Sequence, residues 1–350
     1  MDQLPRKQID IYEEKILAER AYNMYLEGGI SFPRAPLTVK PRKVKKVADI
    51  LEEVLMGLPL PPVYVSEMQD GKFLVLDASD MLRCLFDFFA GRLPCGYMEL
   101  YPELEGNDIQ KLEDNYPRIT SALYHYPLQF YVIDYLTPKY LHMQVGNHVA
   151  NWNFSREQGV RNALYGGRQT VRFLERLAKN LRKVTFFSSS SLNRQYAVLR
   201  ILMYRLIIWG DFPELDASVI GLQMLLDQTF QILENGSRVW LDQLAADIME
   251  ATDVISQWNR LGRDAAGEED GEEEIDDAVN DLLADRGKEQ QMRKLGYFYN
   301  TVWLCQKKGY PVMESLTRIG QDDQILDMIE NDAVNNGNIV RHWEVIGTRL

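Results

Sequence analysis

The hydrophobic positions in the first 150 residues change their period several times, which predicts both helices and strands. From residue 7 to residue 26 apolar side chains recur close to helical spacing and stop at Gly28-Gly29, so we predict an amphipathic helix there. A second helix is predicted over residues 44–56, where Val47, Leu51 and Val54 share one face ahead of Gly57. The prolines at 59, 61 and 62 then require an extended chain.

Two short β-rich runs follow, at residues 63–65 and 73–76, and the Asp70-Gly71 turn between them predicts a hairpin. Asp77 ends the second strand, and Ser79 or Asp80 can cap a helix that stops at Gly91. A strand, a short turn and a helix N-terminus are therefore adjacent. This arrangement presents free backbone N–H groups and suits an anion.

One further strand is predicted at residues 129–133, and beyond Thr137 the pattern is helical. Helices are expected near residues 138–149, 155–164, 168–183, 191–208, 217–235, 239–259 and 286–307. The predicted fold class is therefore α+β, with a small mixed-sheet domain followed by a mainly helical domain. We place an N-terminal helix at 1–32, the sheet domain at 33–150 and the helical domain at 151–350.

Charge is distributed unevenly along a chain whose net charge is −12. From Arg156 to Arg205 there are eleven basic and two acidic side chains, a net charge of +9. From Asp211 to Asp285 there are twenty acids and three arginines, a net charge of −17. Residues 264–285 carry eleven acids and no base, which predicts an exposed loop. Such a loop can simply be solvated, mimic nucleic acid or bind a basic partner.

The basic segment is a candidate nucleic-acid-binding surface. Arg161, Arg168, Arg172 and Arg176 follow at spacings of seven, four and four, so they can share one side of a helix and contact a phosphate backbone. Lys179 and Lys183 extend the same set. A solvated face, or a face that pairs with the acidic segment, explains the same pattern.

Cysteine and histidine positions argue against a metal centre. Cys84, Cys95 and Cys305 are few and lack metal-ligand spacing, which fits free thiols in a reducing compartment. His142 and His148 lie six residues apart, so they do not form a helical metal pair, and we predict no metal site. The chain has neither an apolar leader nor a run long enough to span a bilayer. We therefore expect a cytoplasmic protein without a membrane partner.

Two sequence blocks carry a family resemblance. The first contains Leu-Pro-Leu-Pro-Pro at 58–62, Leu76-Asp77, Leu82, Leu85 and Phe88-Phe89, and the second contains Arg161-Asn162-Ala163-Leu164-Tyr165, with Asn151 or Asn153 upstream. In order and spacing, residues 33–210 resemble the ParB/sulfiredoxin-like N-terminal domain of GmrSD-type restriction endonucleases. The resemblance implies a ParB/sulfiredoxin-like sheet domain and a role in restricting foreign DNA.

In that family the turn after the hairpin reads Asp-Gly-x-Gln-Arg and belongs to a site that binds and hydrolyses nucleotides. Asp77 matches the signature, whereas Ala78, Asp80 and Met81 replace its Gly, Gln and Arg. Methionine cannot supply the bidentate cation of an arginine, so the sequence predicts a degenerate site.

What remains of the nucleotide-binding set is Asp77, Ser79, Asp80 and Arg83. If activity survives, the resemblance implies a nucleoside triphosphate as the ligand, and Asp77 with Asp80 can hold a divalent cation that bridges its phosphates. Asp77, Asp80, Arg83 and Arg161 are then the catalytic candidates. The family's aromatic-Gln-Arg…Trp block is also replaced, by Pro33-Arg34-Ala35-Pro36.

Three functions follow as hypotheses. The favoured one is a catalytically degenerate protein that associates with nucleic acid or a protein partner, in phage–host conflict or as a phage component. The second is an active metal-dependent NTPase or DNA-nicking enzyme. The third is a structural or assembly protein that binds copies of itself.

Overall fold

A computed structural model describes residues 9–33, 42–184, 190–212, 220–266 and 281–350; for 42–44, 79, 260–266 and 281–288 it describes the backbone alone. The chain divides into two compact units. The first contains the residues up to Trp152 together with 159–165, and the second contains 153–158 and the chain from Gly166 onward. Each unit has its own core and is described by itself below.

A five-stranded mixed sheet organises the first unit, with the strand order β1-β5-β3-β4-β2. The strands are β1 (Ile11–Leu17), β2 (Ile30–Ser31), β3 (Val63–Glu67), β4 (Phe73–Val75) and β5 (Pro127–Ile133). β3 pairs antiparallel with β4 and parallel with β5, while β1 pairs antiparallel with β5. The predicted hairpin and the predicted strand near residue 130 are confirmed.

The helix predicted over residues 7–26 is wrong in its first half. Ile11–Leu17 is a strand, and helix α1 spans only Ala18–Leu26. The apolar positions of this stretch fit either period, and only Ile16 of β1 is buried. Pairing with β5 supplies backbone hydrogen bonds to this strand, so tertiary context overrides the local preference for a helix.

Helices cover both faces of the sheet. They are α2 (Arg42–Leu55), α3 (Ser79–Phe89), α4 (Ile109–Asn115), α5 (Pro117–Tyr124), α6 (Lys139–Ala150) and α7 (Phe154–Tyr165). Val63 and Val65 point into the larger core, which includes Leu82 of α3 and Leu51 of α2. Leu74, Leu76 and Ile133 belong to a second cluster with Met143, Val160 and Leu164 from α6 and α7. The sequence did not predict α4 and α5, because each is too short to show a helical period.

The second unit is mainly helical in its described residues, as predicted. Its helices are α8 (Arg168–Asn180), α9 (Ser191–Ile208), α10 (Leu222–Asn235), α11 (Arg238–Ala266), α12 (Asp281–Lys308), α13 (Val312–Gly320), α14 (Asp323–Asn331) and α15 (Asn336–Gly347).

The acidic loop was predicted at 264–285, and its residues 267–280 lie outside the described part of the chain. At its two ends the prediction is corrected, since residues 264–266 and 281–285 continue α11 and α12.

Helix α9 is the centre of the helical unit, and two arginines, Arg194 and Arg200, are buried along it. The Arg200 side chain is fully buried, and its guanidinium donates to both carboxylate oxygens of Glu289 on α12, at 3.1 and 3.0 Å. Arg293 also donates to Glu289, at 3.0 Å, and to the carbonyl oxygens at the end of α14. Burial alone would raise the pKa of Glu289, but attraction to Arg200 and Arg293 prevails and lowers it. Helices α9, α12 and α14 are thus joined through one carboxylate.

Replacing Glu289 with alanine tests this network. We expect Glu289→Ala to lower the free energy of unfolding by about 3–5 kcal/mol, because it leaves the Arg200 cation buried without its partner. Urea titration followed by circular dichroism measures the change. As a control, Asp70→Ala removes one member of the exposed Lys72–Asp70 pair and should have no measurable effect. Equal losses in the two variants would contradict the assignment.

Candidate functional site

The Asp77 turn joins β4 to α3 and is held by its neighbours on the sheet. The backbone N–H groups of Leu76 and Asp77 both donate to the Tyr64 carbonyl oxygen of β3, at 2.8 and 3.2 Å. The indole Nε1 of Trp152 donates to the Leu76 carbonyl oxygen at 3.2 Å. Trp152 reaches this position by packing against Gly146 of α6, where any Cβ would overlap the indole ring. The direction in which the chain enters α3 is therefore fixed from two sides.

Ala78 occupies the turn in a left-handed conformation. Its φ and ψ are 56° and 18°, and it is the N-cap residue of α3, with no side-chain hydrogen bond capping the helix. An L-residue with a Cβ pays roughly 1–2 kcal/mol for this region, whereas glycine adopts it freely. The resemblance places a glycine at this position. The backbone geometry suited to that glycine is present here although the glycine itself is replaced.

The side chains that follow Ala78 give the turn little positive charge. Asp80 is exposed, with 83% of its side chain accessible, and its nearest ionic partner is Lys46 of α2, whose Nζ lies 3.9 Å away. Met81, which stands where the resemblance places arginine, is 6% exposed and packs into the larger core. Asp77 itself is half-buried. The Ser79 side chain lies outside the described atoms.

Arg83, the remaining cation of the predicted nucleotide-binding set, has other partners. Its Nη2 donates to the Pro33 carbonyl oxygen at 3.0 Å, and its guanidinium lies 4.4 Å from the centre of the Phe32 ring. These contacts hold the chain just beyond β2 against α3. Arg83 therefore has a structural role in this conformation, and its role toward a nucleotide stays a prediction.

Beside Asp77 lies an aromatic pair that the sequence did not reveal. Tyr64 of β3 and Tyr131 of β5 are register partners, and their rings stack at 5.1 Å with an interplanar angle of 25°. Both are half-buried, so part of each ring is open to a planar ligand. Burial raises the pKa of Tyr64, and Tyr131 and Asp77 add to the shift. Their proximity depends on the parallel pairing of β3 with β5, which residue spacing does not show.

The six predicted nucleic-acid-binding residues do not form one surface. Arg161, on α7, is 1% exposed, so its guanidinium is withdrawn from solvent. Its assignment to an exposed basic surface is corrected, and its catalytic role stays a prediction. The other five are all exposed and lie on α8 or in the short 3-10 turn that follows it.

These five side chains define what we call the basic face of α8. Arg168, Arg172, Arg176, Lys179 and Lys183 follow at spacings of four, four, three and four, which keeps them on one side of a helix. Phe173, Leu174, Leu177 and Ala178 are buried on the opposite side. The helix is therefore amphipathic, with its cations directed to solvent.

Two of the five cations pair with acids of α11. The guanidinium of Arg176 donates to Asp242 at 3.2 Å, and the Lys183 ammonium donates to Asp253 at 2.6 Å. Arg168, Arg172 and Lys179 have no ion-pair partner among the residues that the structure describes. Arg176 and Lys183 thus pair with the acidic segment, whereas Arg168, Arg172 and Lys179 face solvent.

Helix α10 fixes the start of α8 and closes its N-terminus. The Glu234 carboxylate accepts from the Thr170 N–H at 3.0 Å, and the Gln169 amide donates to three carbonyl oxygens at the end of α10, at 2.9 to 3.2 Å. A Cβ on Gly167 would overlap the Glu234 carboxylate. Because a carboxylate already occupies the N-terminus of α8, an anionic ligand must be held by the side chains of the basic face.

His142 is part of the core rather than of a reactive site. One ring nitrogen, Nε2, lies 2.8 Å from the Thr137 carbonyl oxygen and must donate to it, so Nδ1 accepts from the Ser66 hydroxyl at 2.7 Å. Both side chains are buried, and burial lowers the pKa of His142. A substrate has no access to this serine–histidine pair in the described conformation.

Among the described residues, no group of three His, Cys, Asp or Glu side chains is placed to hold a metal ion. All three cysteines are buried, and none of them forms a disulfide bond. No helix in the described part of the chain is both long and apolar enough to span a bilayer.

No protein-family model, curated protein or solved structure matches this chain. The resemblance to GmrSD-type proteins therefore rests on the two sequence blocks quoted above.

Replacing Ala78 with glycine tests the geometry of the turn. We expect Ala78→Gly to raise the free energy of unfolding by about 1 kcal/mol, because it relieves the left-handed strain of the alanine. Thermal and urea unfolding measure the difference.

Ala122→Gly is the matched control, since Ala122 is exposed within α5. There the same substitution should destabilise by about 0.5–1 kcal/mol. A loss of stability at both positions would show that Ala78 is not in the left-handed conformation.

Proposed function

We propose that this chain is a nucleic-acid-associated protein that binds the phosphate backbone through the basic face of α8. In this proposal the Asp77 turn is a retained scaffold that no longer hydrolyses nucleotides. The observation that carries the proposal is the exposed row of five cations along one side of α8 and the 3-10 turn that follows it. The setting implied by the resemblance, phage–host conflict in the bacterial cytoplasm or a place in the phage particle, belongs to the same proposal.

The length of the basic face suits a nucleic-acid backbone. Residues 168 to 183 extend roughly 22 Å at 1.5 Å per residue, with a cation about every 6 Å. A duplex carries one phosphate per strand about every 3.4 Å along its axis, so several phosphates lie within reach of these long side chains.

The net charge of −12 does not prevent such binding. Exposed charges are screened over about 8 Å at physiological ionic strength, so a phosphate close to α8 responds mainly to the local cations. Asp242 and Asp253 engage Arg176 and Lys183, and Glu175 is an exposed acid on α8 itself, one turn from Arg172 and Lys179. Arg168, Arg172 and Lys179 are therefore expected to make the first phosphate contacts.

The residues of the Asp77 turn favour a catalytically degenerate site over an active NTPase. A phosphate-binding turn needs cations and N–H groups, and the position of the signature arginine holds a core methionine, Met81. Asp80 adds an exposed carboxylate, while Arg83 is engaged with Pro33 and Phe32. The metal-dependent enzyme stays a hypothesis that the arrangement of these groups does not favour.

Charge reversal on the basic face tests the proposal. The variant Arg168→Glu/Arg172→Glu/Lys179→Glu should weaken binding to duplex DNA by at least about tenfold, and the slope of log K against log salt should fall by about three. Fluorescence anisotropy with duplex DNA, single-stranded DNA and RNA, each titrated over a salt series, measures both quantities.

A second triple variant is the control. Lys111→Glu/Arg118→Glu/Lys308→Glu makes the same change in net charge at three exposed cations elsewhere, and it should leave the slope nearly unchanged. Conversely, Asp242→Asn/Asp253→Asn releases Arg176 and Lys183, so it should tighten binding. Absence of salt-dependent binding to all three nucleic acids, or equal weakening by both triple variants, would overturn the proposal.

A further inference from the structure

Strand β1 forms one edge of the sheet, and its outer side is open in the described part of the chain. Its one strand neighbour there is β5. The Asp134 N–H donates to the Asp10 carbonyl oxygen, and the Ala18 N–H donates to the Tyr126 carbonyl oxygen. Since alternate residues of an antiparallel ladder exchange both bonds, the even-numbered residues of β1 bond to β5.

The odd-numbered residues of β1 consequently point their N–H and C=O groups away from the sheet. They are Ile11, Glu13, Lys15 and Leu17, and all four side chains are exposed. Ile11 is 42% and Leu17 43% exposed, which is high for aliphatic side chains in a strand. A seven-residue edge whose outward backbone groups have no partner among the described residues, and whose aliphatic ends are exposed, is a template for another strand.

We propose that this edge pairs with β1 of a second copy of the chain, antiparallel about a two-fold axis at Glu14. In this register Glu13 of each copy lies opposite Lys15 of the other, and Ile11 lies opposite Leu17. The four odd-numbered residues then form the hydrogen-bonded pairs, giving up to about eight backbone hydrogen bonds across the axis. Two opposite-charge pairs and two apolar pairs lie on one face of the joined sheet.

The sequence of β1 is the reason to choose a second copy as the partner. Read in opposite directions, Ile-Tyr-Glu-Glu-Lys-Ile-Leu matches acid to base and apolar to apolar at the outward-bonding positions. Cross-strand pairs of both kinds stabilise a sheet, whereas like charges directly opposite destabilise it. One position opposes the pairing, because Glu14 meets Glu14 at the axis. The dimer is therefore weak, and Glu14 limits its affinity.

Variants that change the charges of β1 distinguish this register from other modes of dimerisation. Sedimentation velocity over a concentration series should show a monomer–dimer equilibrium. Lys15→Glu should raise the dissociation constant about tenfold, since it places acids opposite each other at two pairs. The double variant Glu13→Lys/Lys15→Glu restores opposite charges without altering net charge, so its dissociation constant should return to that of the wild type. Glu14→Gln should tighten the dimer severalfold.

A wild type that stays monomeric at every concentration would overturn the proposal. So would a double variant that dimerises as poorly as Lys15→Glu. Thermal unfolding of each variant confirms that the fold is kept, because a loss of folding would lower dimerisation for another reason.

Disulfide trapping tests the position of the axis. Non-hydrogen-bonded antiparallel pairs bring Cα atoms within about 4.5 Å, inside the range that a disulfide spans, so Glu14→Cys should cross-link to itself under copper–phenanthroline oxidation. The native cysteines are all buried and should not compete. Glu13→Cys is the matched control, since it faces Lys15 of the other copy. Equal cross-linking by the two variants would exclude this register.

Discussion

Strand β3 lies at the centre of the sheet, between β5 and β4, and the geometry of the candidate site depends on its pairing. Its Tyr64 carbonyl oxygen accepts from both Leu76 and Asp77, which sets where the turn begins. Its parallel register with β5 stacks Tyr64 on Tyr131. Because β5 lies between β3 and β1, the same order leaves β1 at the edge. One set of strand pairings therefore produces both the Asp77 turn and the open edge.

In the helical unit the corresponding constraint is the buried charge of Arg200. Helix α9 is apolar on nearly every side, so hydrophobic burial alone would not specify which neighbour meets which face. Both Nη atoms of the buried Arg200 donate to the Glu289 carboxylate, and Arg293 links that carboxylate to the end of α14. Replacing such a network by apolar side chains of similar volume is often neutral for stability, whereas removing one partner alone is strongly destabilising.

The sequence predicted those elements whose period persists over several turns. The long helices and the 63–76 hairpin needed no tertiary information, whereas β1 did, because its apolar positions fit two periods and its pairing with β5 decided between them. The count of charges along the sequence overestimated the exposed basic surface, because it does not distinguish buried from exposed side chains. The segment 156–205 mixes buried arginines such as Arg161 and Arg200 with the exposed cations of α8. Their difference lies in the surrounding side chains: α8 has one apolar and one basic face, whereas Arg200 stands within the otherwise apolar run 196–204 of α9.

The backbone of the Asp77 turn has a geometry that suits glycine, although the residue that adopts it is alanine. Ala78 keeps a left-handed backbone that disfavours alanine, and this conformation persists because its surroundings fix both ends. On one side β3 and Trp152 hold Leu76; on the other, Met81 and Leu82 anchor α3 in the core. A strained residue held by such contacts needs no ligand to maintain it. The turn thus has a structural role in joining β4 to α3 that is independent of phosphate binding, as the proposal of a retained scaffold requires.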